Sequence, residues 1–397
     1  MSKCWPICLL VLLAACESPT DTGMQQEQTV PGLAADSSMI LRHAQRFGVV
    51  WQDGLAHVYV ASFADTVGAD PVSERSFHYV LEPAILSPEA SLAWRKRWPE
   101  AQAIQVPVER AVLVSTTHAA LFAGLGAYER VAGVAWANNL VDPRYQERLA
   151  AGQLRDMQHA DDLDMEQILD LDPGIVMTYL TADPAYGDYA RLRDLGLPVM
   201  LNAEYREPTP LGQAEWVRLA GLLLGLEKQA DTLFEGVEQR YHQWQDSAKT
   251  FRQKPTVFTG LDWQGSWTVP KGESFAATYL RDAGANYLWA DQTGSGNLAL
   301  DFEAVLDRAG EADFWLHPGA VRTRSAMVQQ DPRLRHFAAW EAGRVYNNDA
   351  RLSPGGGNDY WESAVIRPDR VLRDLVRIFH TQADSSLFYY RRLPENS

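Results

Sequence analysis

The stretch that most constrains this chain lies in its middle, where two helical patterns follow one another around Gly225. Gln213 to Leu224 places Trp216, Leu219, Ala220 and Leu223 on one face, and Gly225 is a natural stop. Glu227 to Lys249 then carries Ala230, Leu233, Phe234, Val237, Tyr241 and Trp244 as one stripe, and Pro255 closes the helical region. At 1.5 Å per residue the second helix reaches about 35 Å, enough to run along two lobes. A rigid connector of that length leaves little hinge freedom.

On both sides of this connector short apolar runs alternate with helical patterns. Before it, Ala111–Val114, Val131–Ala135, Gly174–Met177 and Val199–Leu201 read as buried strands, with helices over Ala119–Leu125, Met165–Leu171 and Tyr189–Leu195. After it, strands are expected near Thr256–Gly260, Ala312–Leu316 and Arg344–Tyr346, and helices near Ser274–Ala283, Phe302–Ala309 and Trp361–His380. Such alternation predicts an α/β fold, two lobes with mostly parallel sheets joined by one long backbone helix. Phe47 to Pro107 is different: Val49-Val50-Trp51, a turn at Gln52-Asp53-Gly54 and His57-Val58-Tyr59-Val60 predict a hairpin and an N-terminal β preamble. Within it, Pro88 followed by Glu89 suits the opening of a short helix.

The first residues address a different question, that of compartment. A short apolar run, Ile7 to Ala15, follows Lys3 and ends in Leu13-Ala14-Ala15-Cys16, which resembles a bacterial lipoprotein signal cut before Cys16 so that this cysteine carries lipid. At about nine residues the run is far short of the ~20 that span a bilayer. Cys4 and Cys8 lie within the leader, so the folded part is expected to hold no disulfide. Polar residues Glu17 to Ser38 read as a tether, because they bury too little to offset the entropy of ordering. The expected organisation is therefore signal and lipidation cysteine 1–16, tether 17–40, β-rich extension 41–108, N-lobe 109–210, connecting helices 211–254, C-lobe 255–383 and tail 384–397. A net charge of -15 argues against nucleic acid or an anionic bilayer surface as principal partner, and 13 Trp with 46% hydrophobic residues can line an aromatic cavity.

Ordered motifs carry a family resemblance. The strand-Ser-helix opening at Ser115, the block Asp164-Met165-Glu166-Gln167-Ile168-Leu169-Asp170-Leu171-Asp172-Pro173-Gly174-Ile175-Val176, the segment Leu192–Val199 and the block Leu280-Arg281-Asp282-Ala283-Gly284-Ala285-Asn286 resemble the helical-backbone substrate-binding proteins of ABC importers for iron complexes and cobalamin. The likeness spans roughly Glu109 to Phe379. It implies a lipid-anchored, extracytoplasmic solute-binding protein that performs no chemistry itself, with a permease and its ATPase subunit as partners and a ferric siderophore as cargo. Cobalamin and haem are the alternatives within the class, and no resident cofactor is implied. Asp301-Phe302-Glu303-Ala304-Val305-Leu306 echoes the first acidic block, and by position Glu166 and Glu303 would be docking carboxylates for permease arginines. Helix capping by itself would explain each Glu but not their symmetry.

The cleft is expected at the carboxyl ends of the strands. In the N-lobe that selects Ser115, Thr116, Thr117, His118, Trp136, Asn138, Tyr179 and Tyr205; in the C-lobe it selects Trp263, Trp267, His317, Arg322, Arg324 and the loop from Arg351 to Tyr360. Aromatic groups there would give apolar contact and Arg would pair with carboxylates or phosphates of the ligand. His118 raises direct metal binding, but the nine histidines are scattered without His-x-His or HExxH spacing, so no metal site is assigned. Gly294-Ser295-Gly296 lacks nucleophile-elbow spacing, Gly355-Gly356-Gly357 is no phosphate loop, and Asp161, Asp162 and Asp164 fail the EF-hand pattern. An extracellular hydrolase is the distant alternative.

Overall fold

A computed structural model describes residues 37–61, 76–159, 163–179, 187–381 and 384–396. The leader, Cys16, most of the tether and the Asp161-Asp162 pair lie outside them.

The extension is a five-stranded sheet: β1 (Ser37–Ser38), β2 (Phe47–Gln52), β3 (Leu55–Ala61), β4 (Ser76–Pro83) and β5 (Gln102–Val106), in that spatial order. The β2–β3 hairpin turns at Asp53 and Gly54, both at positive φ (52° and 78°), as a tight two-residue loop requires. Strand β5 returns parallel to β4 through helix α1 (Pro88–Arg97), whose N-cap is Ser87. Ser37 and Ser38, assigned from composition to the tether, instead pair antiparallel with Trp51 and Val50 at the sheet edge.

The first lobe is a parallel sheet ordered β10-β9-β6-β7-β8. Along the chain it runs β6 (Ala111–Leu113), α2 (Thr116–Gly124), β7 (Val131–Val134), α3 (Pro143–Ala150), β8 (Arg155–Asp156), α4 (Met165–Leu171), β9 (Ile175–Thr178), α5 (Gly187–Asp194) and β10 (Val199–Leu201). Two connecting helices follow, α6 (Pro210–Leu224) and α7 (Glu227–Lys249).

The second lobe continues with β11 (Thr256–Thr259), β12 (Asp262–Trp263), β13 (Ser266–Pro270), α8 (Phe275–Asp282), β14 (Asn286–Tyr287), β15 (Asn297–Leu300), α9 (Phe302–Ala309), β16 (Phe314–Leu316), α10 (Arg324–Gln330), α11 (Ala338–Glu341), β17 (Val345–Asn347), α12 (Pro368–Val376) and β18 (Arg391–Arg392). Its main sheet is ordered β14-β11-β16-β17-β18, and β12, β13 and β15 form a small antiparallel sheet beside it. The expected helix over Trp361–His380 is broken into short turns and α12. Pro368 has no N–H to donate and starts a new helix instead. Residues assigned to the tail supply β18, which closes the sheet edge against Tyr346 and Asn347.

One hydrophobic core unites the extension with the first lobe: Phe47, Val58, Val60, Tyr79 and Ile104 belong to the same cluster as Val112, Phe122, Val176 and Met200. Buried carboxylates of the connecting helix region reinforce this union. Glu215 of α6 accepts from the backbone amides of Arg42, His43 and Ala44, and Glu207 accepts from those of Gln45 and Arg46 and from Trp216 Nε1. Burial pushes the Glu207 carboxyl up to about 7, opposed by these donors. A second core, with Phe258, Trp267, Trp315, Tyr346 and Leu372, fills the other lobe. Val365 and Ile366, although late in the chain, pack into the first core, so the segment before α12 crosses between lobes.

Candidate functional site

A cavity of about 430 Å³ opens where the strands of the first lobe end and the 351–361 loop of the second arrives. Val114 and Ser115 follow β6, Trp136 follows β7 and Tyr179 follows β9, so three neighbouring parallel strands deliver one wall. Gly356, Gly357, Asn358 and Trp361 form the facing wall. The described lining carries no formal charge.

Ser115 caps α2, and its Oγ lies 2.8 Å from Thr117 Oγ1, which in turn donates to Glu204 Oε1 at 2.6 Å. Because the Thr117 proton is committed to Glu204, Ser115 donates to Thr117, and since its Oγ also accepts from Thr117 N as the helix cap, it keeps one lone pair for the cavity. Behind this chain His118 is buried against Met177 O (3.2 Å), with Nε2 at 3.9 Å from Glu204 Oε2. Burial lowers its pKa, so it sits as a neutral core imidazole and not as a cavity ligand. Trp136 adopts the left-handed conformation (φ 60°) and stands edge-on over His159. Asn138 is turned to Asp156, and its neighbour Asn139 reaches the cavity instead. Tyr205 lies beside Tyr179 with ring centroids 6.2 Å apart.

In the second lobe the cavity is lined from the Arg351 to Tyr360 loop, but by side chains other than those expected. Trp267 is fully buried, donates to Thr259 O and packs among Phe258, Trp315 and Phe337, so it is a core residue. Trp263 is 73% exposed on the β12–β13 hairpin, outside the cavity lining. His317 bonds Tyr390 OH at 2.7 Å beside Tyr360, and burial lowers its pKa to about 4. None of the three arginines lines the cavity. Arg322 pairs with Asp349, Arg324 donates to Trp340 O and approaches Glu395, and Arg351 pairs with Asp359 at 2.6 Å while lying over Phe388. Each charge is satisfied by a tertiary partner that sequence spacing does not reveal. Trp361 and Asn358, which do line the cavity, sit within or next to the loop that was selected.

The loop is clasped to the first lobe. A Cβ on Gly355 or Gly357 would collide with the backbone of Asn138 or Asn139, so only glycine permits this approach. Ser353 Oγ donates to Asn138 O, Thr116 Oγ1 donates to Trp361 O, and buried Glu362 accepts from the amides of Val141 (2.5 Å) and Asp142 (3.1 Å). Burial pushes Glu362 up to about 7, with those two amides pulling the other way.

Away from the cavity, Glu166 and Glu303 occupy matching places. Each is the second residue of its helix after an N-cap aspartate, Asp164 accepting from Gln167 N and Asp301 from Ala304 N. Both are exposed, but Glu303 also pairs with Arg333 at 3.1 Å.

Two α/β lobes, a backbone helix and a cleft at the strand ends define a solute-binding protein. The chain belongs to the periplasmic binding protein family, whose model matches residues 112–352, and it is accordingly a binding protein and not an enzyme. It is 24% identical to an uncharacterized lipoprotein of Methanocaldococcus jannaschii over 95% of this chain and 92% of the relative. The periplasmic heme-binding protein RhuT from Roseiflexus sp. RS-1 superposes with a TM-score of 0.56 and 21% identity, over 69% of this chain and 98% of that one. An ABC-type Fe3+-hydroxamate transport system structure from Saccharomonospora viridis gives 0.51 and 17%, over 69% and 94%. At these identities the likeness is one of fold. Among the described residues no helix is long and apolar enough to cross a membrane.

Proposed function

We propose that this protein is the lipid-anchored solute-binding component of an ABC importer and that its cargo is a compact metal chelate without net charge, a neutral ferric siderophore of the hydroxamate kind. The uncharged, aromatic lining of the cavity carries this reading. Trp136, Tyr179 and Trp361 offer apolar faces, Ser115 an oxygen acceptor, and Asn139 and Asn358 amides that donate or accept. An anionic chelate or the propionates of haem would leave unpaired charge in such a lining, which is costly. At about 430 Å³ the space suits a drug-sized ligand, whereas cobalamin would need the clasped loop to open.

The lipid anchor is supported by the Leu13-Ala14-Ala15-Cys16 pattern and by the relative named as a lipoprotein. Glu166 and Glu303 are the proposed contacts to the permease, whose ATPase subunit supplies the energy. Titrating purified protein with a neutral ferric trihydroxamate, an anionic ferric carboxylate complex, cobalamin and haemin, with Trp fluorescence as readout, tests the proposal. Saturable quenching by the trihydroxamate at micromolar or lower concentration is expected; preference for the anionic complex would overturn it.

A further inference from the structure

Outside the cleft, one cluster has the donor set of a transition-metal site. Glu238 and His242 lie four residues apart on α7, hence on one face of that helix, and His43 reaches them from the segment between β1 and β2. One ligand atom from each lies within 4.8 Å of the others. His43 Nε2 already meets Glu238 Oε1 at 2.7 Å.

We propose that His43, Glu238 and His242 bind a divalent transition ion of the zinc class, clipping the N-terminal extension to the long backbone helix. Two imidazole nitrogens and one carboxylate oxygen are a zinc donor set, and three protein ligands leave the fourth position to water. Two of the three ligands are held in place. The amides of Arg42, His43 and Ala44 are fixed on Glu215, so the backbone that carries His43 is set, and its ring packs edge-on against Phe234. Arg42 pairs with Glu238 Oε2 at 3.1 Å, which leaves Oε1 as the ligand atom and orients the carboxylate.

The third ligand is exposed and supplies the adjustment. Tetrahedral zinc needs ligand atoms about 3.3 Å apart, and rotation of the His242 side chain closes the remaining gap. Gln245 Oε1 lies 3.3 Å from His242 Nδ1. By accepting a hydrogen bond from Nδ1–H there, it fixes the tautomer that frees Nε2 for the metal. The ion takes the place of the hydrogen of the His43–Glu238 contact, which is released to solvent on binding. No other group of three such side chains comes together among the described residues.

The test uses the full chain, stripped with a chelator and titrated calorimetrically with Zn2+, with Co2+ absorption as an independent report of nitrogen ligation. One Zn2+ per chain at micromolar affinity is expected, with a rise of several degrees in Tm, because an ion that binds only the folded state stabilises it. His242→Ala, an exposed change, should leave the metal-free Tm unaltered and weaken Zn2+ at least tenfold; Glu238→Gln should weaken it as well. Absence of one-to-one binding, or equal affinity in His242→Ala, would overturn the site. Trihydroxamate binding in the cleft is read separately and does not depend on this result.

Discussion

The two walls of the cavity are built in opposite ways. On one side the ends of β6, β7 and β9 place Ser115, Trp136 and Tyr179 in a row, each held by a parallel sheet whose core is continuous. On the other a single loop supplies Gly356, Gly357, Asn358 and Trp361, and contacts with the opposite lobe help to hold it. The first wall is preorganised by secondary structure, the second by a tertiary clasp. If the proposed cargo binds here, its affinity should depend on the clasp as much as on any group that lines the cavity.

Breaking the clasp should have the largest effect. Gly357→Ala sets a methyl group against Asn139, and overpacking of this kind costs about 1–3 kcal/mol. Ligand affinity is expected to fall by about one to two orders of magnitude, since about 1.4 kcal/mol is tenfold. Parallel titration and denaturant unfolding will show it, and wild-type affinity would mean that the loop is not a wall.

Next in size come the aromatic faces. Trp361→Ala and Trp136→Ala should each cost about 2 kcal/mol of binding, the scale of a buried aromatic anchor. Arg322→Ala, by contrast, should stay within about twofold, as for an exposed charge away from the ligand. The reverse order would restore an anionic cargo. Arg351→Ala is a poorer probe, because it strands the buried Asp359 carboxylate and acts through folding.

The two carboxylates proposed to dock on the permease sharpen the same contrast at longer range. Alanine at Glu166 or at Glu303 should reduce transport several-fold without changing ligand Kd. The Glu303 change should be the milder, because its charge is already shared with Arg333. Uptake by cells carrying each variant, beside titration of the purified proteins, separates the two quantities.

The smallest effect is one of pH. Glu362 titrates near 7 in the folded protein against an ordinary value of 4.5. Between these values the folded state holds more protons than the unfolded state, so stability falls as pH rises from 4.5 to 7. Glu362→Gln should flatten that part of the profile. Denaturant midpoints measured across this range would show no difference between the two proteins if the carboxyl were not buried.

Periodicity carried most of the architecture. Met165–Leu171, Glu227–Lys249 and Phe302–Ala309 form over the residues their apolar spacing indicates, and the Asp53-Gly54 turn sets the hairpin register. These features depend on neighbours within a few residues, which is the range sequence can report. Ser37–Ser38 and Arg391–Arg392 were not legible as strands, because two-residue edge strands exist only by pairing with a distant partner. Trp267 gives the same lesson inside the lobe, since an aromatic at a strand end fits a core and a cavity equally until the opposite layer is present.

By itself, then, the sequence determined the class of the molecule: alternating strands and helices around a long amphipathic connector, an acidic block repeated in each half, and a cleft at the strand ends. Tertiary structure alone decided the character of that cleft. Whether an arginine meets a ligand or an aspartate, and whether Gly355 and Gly357 flex or wedge two lobes together, depends on groups far away in the chain, and no local pattern encodes those distances.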